Sequence, residues 1–241
     1  SVAVGYAALG GVTTADSCVA IGKEALLSIT TGDGNIGIGQ HAMHTHTTGV
    51  RNIALGRYAM DGTSAGSTSA GSDDNIFIGY DTGGGSWADA AATANIGIGN
   101  YAMSDAINGA GNSVAIGFHA LQQVTTAGYN ICLGTYAGYG ITTGTDNVMI
   151  GTNAMSNIGQ ASGANNVAIG TGALDAGNPS YNVAVGVNAL GAVATGTSNV
   201  AVGTGALGAN TTGTVSVAVG HDALAANTTA DNNVAVGNLA L

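Results

Sequence analysis

Three histidines, His41, His44 and His46, fall within six residues, while His119 and His221 stand alone. In an extended His44-Thr45-His46 segment both imidazoles project from one side. Three such segments around a three-fold axis present six nitrogens, an octahedral set suited to iron or nickel. The same pair sits in a polar connector, where solvated imidazoles are the plainer expectation. A second candidate site surrounds the single tryptophan, Trp87, with Tyr80, Asp81 and Asp89. An indole face stacks on a sugar ring while carboxylates bond its hydroxyls, so this group reads as a receptor or glycan site. The alternative is that the loop folds back and Trp87 plugs a core. Catalysis is not expected: Ser, His and Asp show no strand-to-helix nucleophile elbow, and the thirteen acids are scattered rather than grouped. The string Gly-Asp-Gly-Asn-Ile-Gly-Ile-Gly at 32–39 has the flavour of a calcium-binding nonapeptide but does not recur with its aspartate. No cofactor is expected beyond an ion at His44 and His46.

The elements that must hold these residues come from one phrase repeated fourteen times, Asn-(Val/Ile)-Ala-(Val/Ile)-Gly-x-x-Ala-(Leu/Met). Its glycine recurs as Gly5, Gly22, Gly39, Gly56, Gly79, Gly99, Gly117, Gly134, Gly151, Gly170, Gly186, Gly203, Gly220 and Gly237. Most separations are 17, swelling to 23 and 20 between Gly56 and Gly99. A fixed period in this range marks a solenoid, whose units are buried only by stacking on neighbours. The expected fold is an all-β solenoid of about 14 coils, a single array over 1–241 with irregular, longer loops at 57–98. At about 4.8 Å per coil the array would extend roughly 65 Å. Cys18 and Cys132 then lie six coils apart, too far for a disulfide.

Positions three and one before the glycine are always Val, Ile or Leu, and their alternation assigns them to the coil interior. The residue between them is Ala in nine repeats and never polar. A strand with one wet face should be polar there. A second covered face therefore calls for another chain, and a parallel homotrimer, intertwined or side by side, is expected. Asn stands four before the glycine in ten repeats, where stacked amides form a corner ladder. Paired threonines such as Thr30-Thr31 and Thr211-Thr212 sit in connectors too variable in length for a flat ice-binding lattice.

With three cations, Lys23, Arg51 and Arg57, and a net charge of −10, nucleic acid is an unsuitable partner. Anionic membrane surfaces are disfavoured for the same reason. No stretch approaches 18 apolar residues, so no membrane insertion is expected. Gly contributes 42 residues without a Gly-X-Y period, which excludes collagen. The chain begins and ends on motif positions and reads as a segment of a longer array.

Asn112-Ser113-Val114-Ala115-Ile116-Gly117-Phe118-His119-Ala120 resembles the heads of trimeric autotransporter adhesins. Val2-Ala3-Val4-Gly5-Tyr6-Ala7-Ala8-Leu9, with the connector Asn210-Thr211-Thr212-Gly213, resembles phage tail-fibre repeats. The 17-residue period is closer to the second family. Both resemblances imply trimeric β-rolls or β-helices outside the cell that serve attachment. They imply a structural fibre segment, on a virion or otherwise at a cell surface, whose partners are its own copies and a host-surface glycan or protein.

Overall fold

The computed structural model describes residues 1–63, 71–87, 90–156, 162–177 and 179–241. Its regular elements among the described residues are fourteen three-residue strands, without an α-helix. The chain divides into two compact units, Ser1–Gly128 and Tyr129–Leu241. The first holds β1 (Val2–Val4), β2 (Val19–Ile21), β3 (Ile36–Ile38), β4 (Ile53–Leu55), β5 (Ile76–Ile78), β6 (Ile96–Ile98) and β7 (Val114–Ile116). The second holds β8 (Ile131–Leu133), β9 (Val148–Ile150), β10 (Val167–Ile169), β11 (Val183–Val185), β12 (Val200–Val202), β13 (Val217–Val219) and β14 (Val234–Val236). Within each unit every strand pairs parallel with the next, and equivalent residues face each other, as in Val183↔Val200 and Ala184↔Ala201. This is the expected solenoid, one strand per coil and about 17 residues per repeat.

The strand faces are the reverse of the expectation. The small middle residue points inward: Ala20, Ala54, Ala115, Ala168, Ala184 and Ala201 are all at 0% exposure. Its β-branched neighbours point out and stay partly exposed, Ile38 at 36% and Ile131 at 42%. The reason lies in how narrow one coil is. The Ala-Leu turn of the repeat closes over the inward face of its strand, and a Cβ on Gly37 would sit 3.0 Å from Leu26 Cγ. Only Ala or Gly fits there by default, so the alanines answer to the chain's own turn and not to a second chain.

The exceptions follow the same rule. Phe77 takes the middle position of β5, and the turn residue that is usually Leu or Met is Gly83 in that coil. A Cβ on Gly83 would stand 2.8 Å from the Phe77 ring, and one on Gly97 in the next strand 2.6 Å. In β9 Met149 is accommodated by Gly138, where a Cβ would lie 2.9 Å from Met149 Sδ. Bulk added on one side of the interior is removed from the other, as close packing demands.

The turns explain the glycine. At the repeat glycines φ runs from 126° to 142°, a region almost reserved for Gly. Three further positions per coil adopt left-handed backbone, for example Ser17, Glu24 and Leu26 at φ 59°, 57° and 50°. A whole coil thus closes with tight turns and one short strand. The interior then needs few side chains.

The asparagines form the corner ladder. Asn166 donates its backbone N–H and its amide to Asn147 Oδ1, both at 3.0 Å, while Asn147 donates its amide to Asn130 Oδ1 at 3.1 Å. Each amide also reaches a loop carbonyl, as Asn147 does at Gly163 O (2.9 Å). In the first unit Asn35, Asn52, Asn75 and Asn95 repeat the arrangement. All these side chains are fully buried and satisfied, which is the condition for a polar file inside a protein. Cys18 and Cys132 are free thiols and both are buried, and burial pushes the Cys132 thiol far up.

Candidate functional site, a stripe of rings and carboxylates

The second residue after each glycine stands outward and stacks coil on coil. In the first unit this column runs Glu24, His41, Tyr58, Asp81, Tyr101 and His119. Each backbone N–H is bonded to a carbonyl of the preceding coil, as from His41 to Lys23 O (3.0 Å) and from Tyr58 to Gln40 O (3.0 Å). Every one has φ between 52° and 61°. The side chains are therefore carried on rigid, identically aimed backbone.

Their rings touch in series. His41 lies 5.3 Å from Tyr58, Tyr58 6.1 Å from Tyr80, and Tyr80 5.3 Å from Tyr101, all tilted or edge-on. Tyr101 then stacks on His119 at 4.9 Å with an interplanar angle of 12°. Such edge and offset contacts are the favoured geometries of aromatic pairs. Arg57 sits 4.6 Å over the Tyr58 ring and donates to its hydroxyl at 3.0 Å. Carboxylates edge the row: burial first, then Asp61 and Asp105, raise the Asp81 carboxyl above its usual range. Burial likewise raises Asp61, against the pull of His44 and His41.

At the row's start the fifth residue after the glycine joins it. His44 Nε2 and His41 Nε2 approach the same oxygen, Glu24 Oε2, at 3.7 and 3.3 Å. His44 Nδ1 faces Asp61 Oδ1 at 3.5 Å. In the second unit the equivalent two columns line an open cleft of Tyr136, Tyr139, Asn153 and Ser156.

The structure redistributes the candidate residues. Tyr80 and Asp81 belong to this stripe. Trp87 does not: it is fully buried, edge-on to Phe77 at 5.9 Å, with its indole N–H donated to Gly83 O at 3.0 Å. Phe77 and Trp87 together fill the interior of an enlarged coil, so neither indole face is open to a sugar. Asp89 lies outside the described residues.

His44 and His46 also part company. The segment is a turn rather than a strand, and His46 enters the interior column that Ile29 occupies one coil earlier. It is fully buried, with Nδ1 3.1 Å from Thr63 Oγ1 and Nε2 3.2 Å from the Asn52 amide. Burial lowers its pKa from 6.5 to about 4, although the Gly49 backbone and Asp73 act in the opposite sense. Between those values the unfolded chain binds a proton that the folded chain refuses, so stability falls as pH drops from 6.5 toward 4. The loss is about 3 kcal/mol. Melting curves at pH 7 and pH 4.5 should show it, and His46→Gln should flatten the difference.

Glu24, Tyr58 and Tyr101 are the stripe residues that residue types alone did not single out. The signal was present in the register, since each stands two after a repeat glycine.

Parallel, in-register coils of about 17 residues define the protein as a β-solenoid of the repeat class. Comparison of the chain with protein-family models, curated proteins and solved structures gives no significant match in any of the three.

Proposed function

We propose that the chain is a segment of an extracellular attachment fibre of the viral tail-fibre type, without catalytic activity, assembled as a parallel homotrimer. The carrying observation is the outward face of the strands. Two Val, Ile or Leu side chains per coil stand there in uncharged columns, partly exposed even in the middle of a stack, as at Ile116 (39%) and Val202 (38%). A contiguous apolar band of that kind marks an interface. Its occupant is the same chain: an identical rise per coil lets in-register copies meet Val to Val along every coil, and no charged residue interrupts the match. Display on a bacterial trimeric adhesin would use the same assembly. A host-surface glycan or protein meets this segment at the stripe around Tyr80 and Asp81, because the rest of the regular surface offers small side chains and short connectors.

Sedimentation should give three times the chain mass of 23.1 kDa. Val202→Asp should release monomers whose circular dichroism resembles the parent's, because the side chain lies outside the coil. Ala201→Asp is no test of the interface, since Ala201 faces the interior. A parent protein that sediments as a monomer defeats the proposal.

A further inference from the structure

We propose that Glu24, His41 and His44 bind one divalent first-row metal ion per chain, best Zn2+, and that Asp61 positions His44 from behind. Among the described residues this is the one cluster of three such donors whose atoms lie within 4.8 Å of one another. In a tetrahedral zinc site with bonds of roughly 2.0–2.1 Å, neighbouring donor atoms stand roughly 3.4 Å apart. The two contacts to Glu24 Oε2, 3.3 Å from His41 Nε2 and 3.7 Å from His44 Nε2, already bracket that spacing. Lys23 lies at the other oxygen, 3.5 Å from Oε1, and leaves Oε2 to the imidazoles.

The two imidazole rings stand 4.8 Å apart at the centroids and turn both Nε2 atoms to one carboxylate oxygen. A cation between the three donors accounts for that convergence. Two His and one Glu make a borderline donor set that suits zinc and leaves a fourth position for water. The side chains are 19 to 27% exposed, which gives that water and the ion a way in.

Asp61 supplies an independent observation. Its Oδ1 is buried with no hydrogen-bond partner, yet faces His44 Nδ1 at 3.5 Å. A metal on Nε2 fixes the proton on Nδ1, and a small turn of the ring delivers it to that oxygen. This carboxylate–histidine–metal relay orients the ligand and raises its basicity. Glu24 belongs to the second coil, His41 and His44 to the third, Asp61 to the fourth. The ion therefore ties consecutive coils together.

Calorimetric titration of the chelator-treated chain with Zn2+ should give one ion per chain. The melting midpoint should rise with Zn2+ and return after EDTA. Co2+ in place of zinc should give the intense visible band of a four-coordinate ion, a readout that needs no variant. His41→Ala should abolish binding while melting like the metal-free parent. Asp61→Asn should keep the stoichiometry with affinity weakened roughly 10- to 100-fold, and His221→Ala should match the parent. Absence of stoichiometric binding, an octahedral Co2+ spectrum, or binding that survives His41→Ala would overturn the assignment.

Discussion

Gly203→Ala is expected to break the stack of the second unit. At φ +135° the backbone of Gly203 lies where an L side chain is strained by about 1–3 kcal/mol. The added Cβ would also lie 2.3 Å from Gly220 O and 2.6 Å from Gly220 C, the equivalent glycine of the next coil. Neither atom can yield, because Gly203 itself is bonded to Val185 O and Gly220 to Val202 O, each at 2.8 Å. Coils on the two sides must separate, and the β12–β13 pairing is lost with them. A fall in stability well beyond about 3 kcal/mol follows, seen as early melting and rapid proteolysis within Tyr129–Leu241. Gly191→Ala is the control. Its φ is not left-handed, its nearest contact is Asn188 O at 3.2 Å, and its melting should stay close to the parent's. Equal melting of both variants would show that the repeat glycine is replaceable.

The second large effect is expected from Asn147→Ala. The substitution strips the acceptor from the backbone N–H of Asn166 and removes the donor to Gly163 O. It also takes one bond each from the Asn166 and Asn130 amides. Each buried polar group left unpaired costs about 1–3 kcal/mol, so two or more such groups amount to about 3–6 kcal/mol. Water cannot easily take their place in so narrow an interior. Asn147→Ser should cost less, because Ser216 holds an equivalent corner and its Oγ accepts the backbone N–H of Asn233 at 3.2 Å, the bond that Asn147 Oδ1 accepts from Asn166. Denaturant titration of the two variants checks the order. An Ala variant no less stable than the Ser variant would mean the ladder is incidental to the stack.

Much of this architecture is legible in the residues because it is written fourteen times. Strand position, glycine turn and asparagine corner each follow from identities at fixed offsets, and the strands start and stop where Val, Ile and Gly say they should. The inside of the coil is not legible in the same way. A period of two separates two faces but does not say which one is buried, and here both are apolar. Size decides it, and the deciding neighbour, the Leu of the turn, lies seventeen residues or fewer away in sequence but across the interior in space. His46 misleads for a related reason. Alternation along an extended segment pairs it with His44, whereas alignment of coils places it over Ile29 and inside. Trp87 sits in an insertion, where register gives no guidance. Phe77 is the missing clue: a ring in a slot reserved for Ala announces an enlarged interior that something large must complete.

The uniform register also bears on how such a chain changes length. Donors of one coil meet acceptors of the next at the same offset throughout a unit, so duplicating a whole coil restores every contact that the duplication interrupts. Array length is then a trait that slippage within a repetitive gene can adjust one notch at a time, each notch adding roughly 4.8 Å. Extra residues that are not a whole coil are tolerable where the strands on either side keep their pairing. The 23 residues from Gly56 to Gly79 still bring Ile53 opposite Ile76. The Phe77 block is the exception to free exchange. Its ring is housed by Gly83 and Gly97, so it must be inherited together with them, a heritable module longer than the repeat from which it grew.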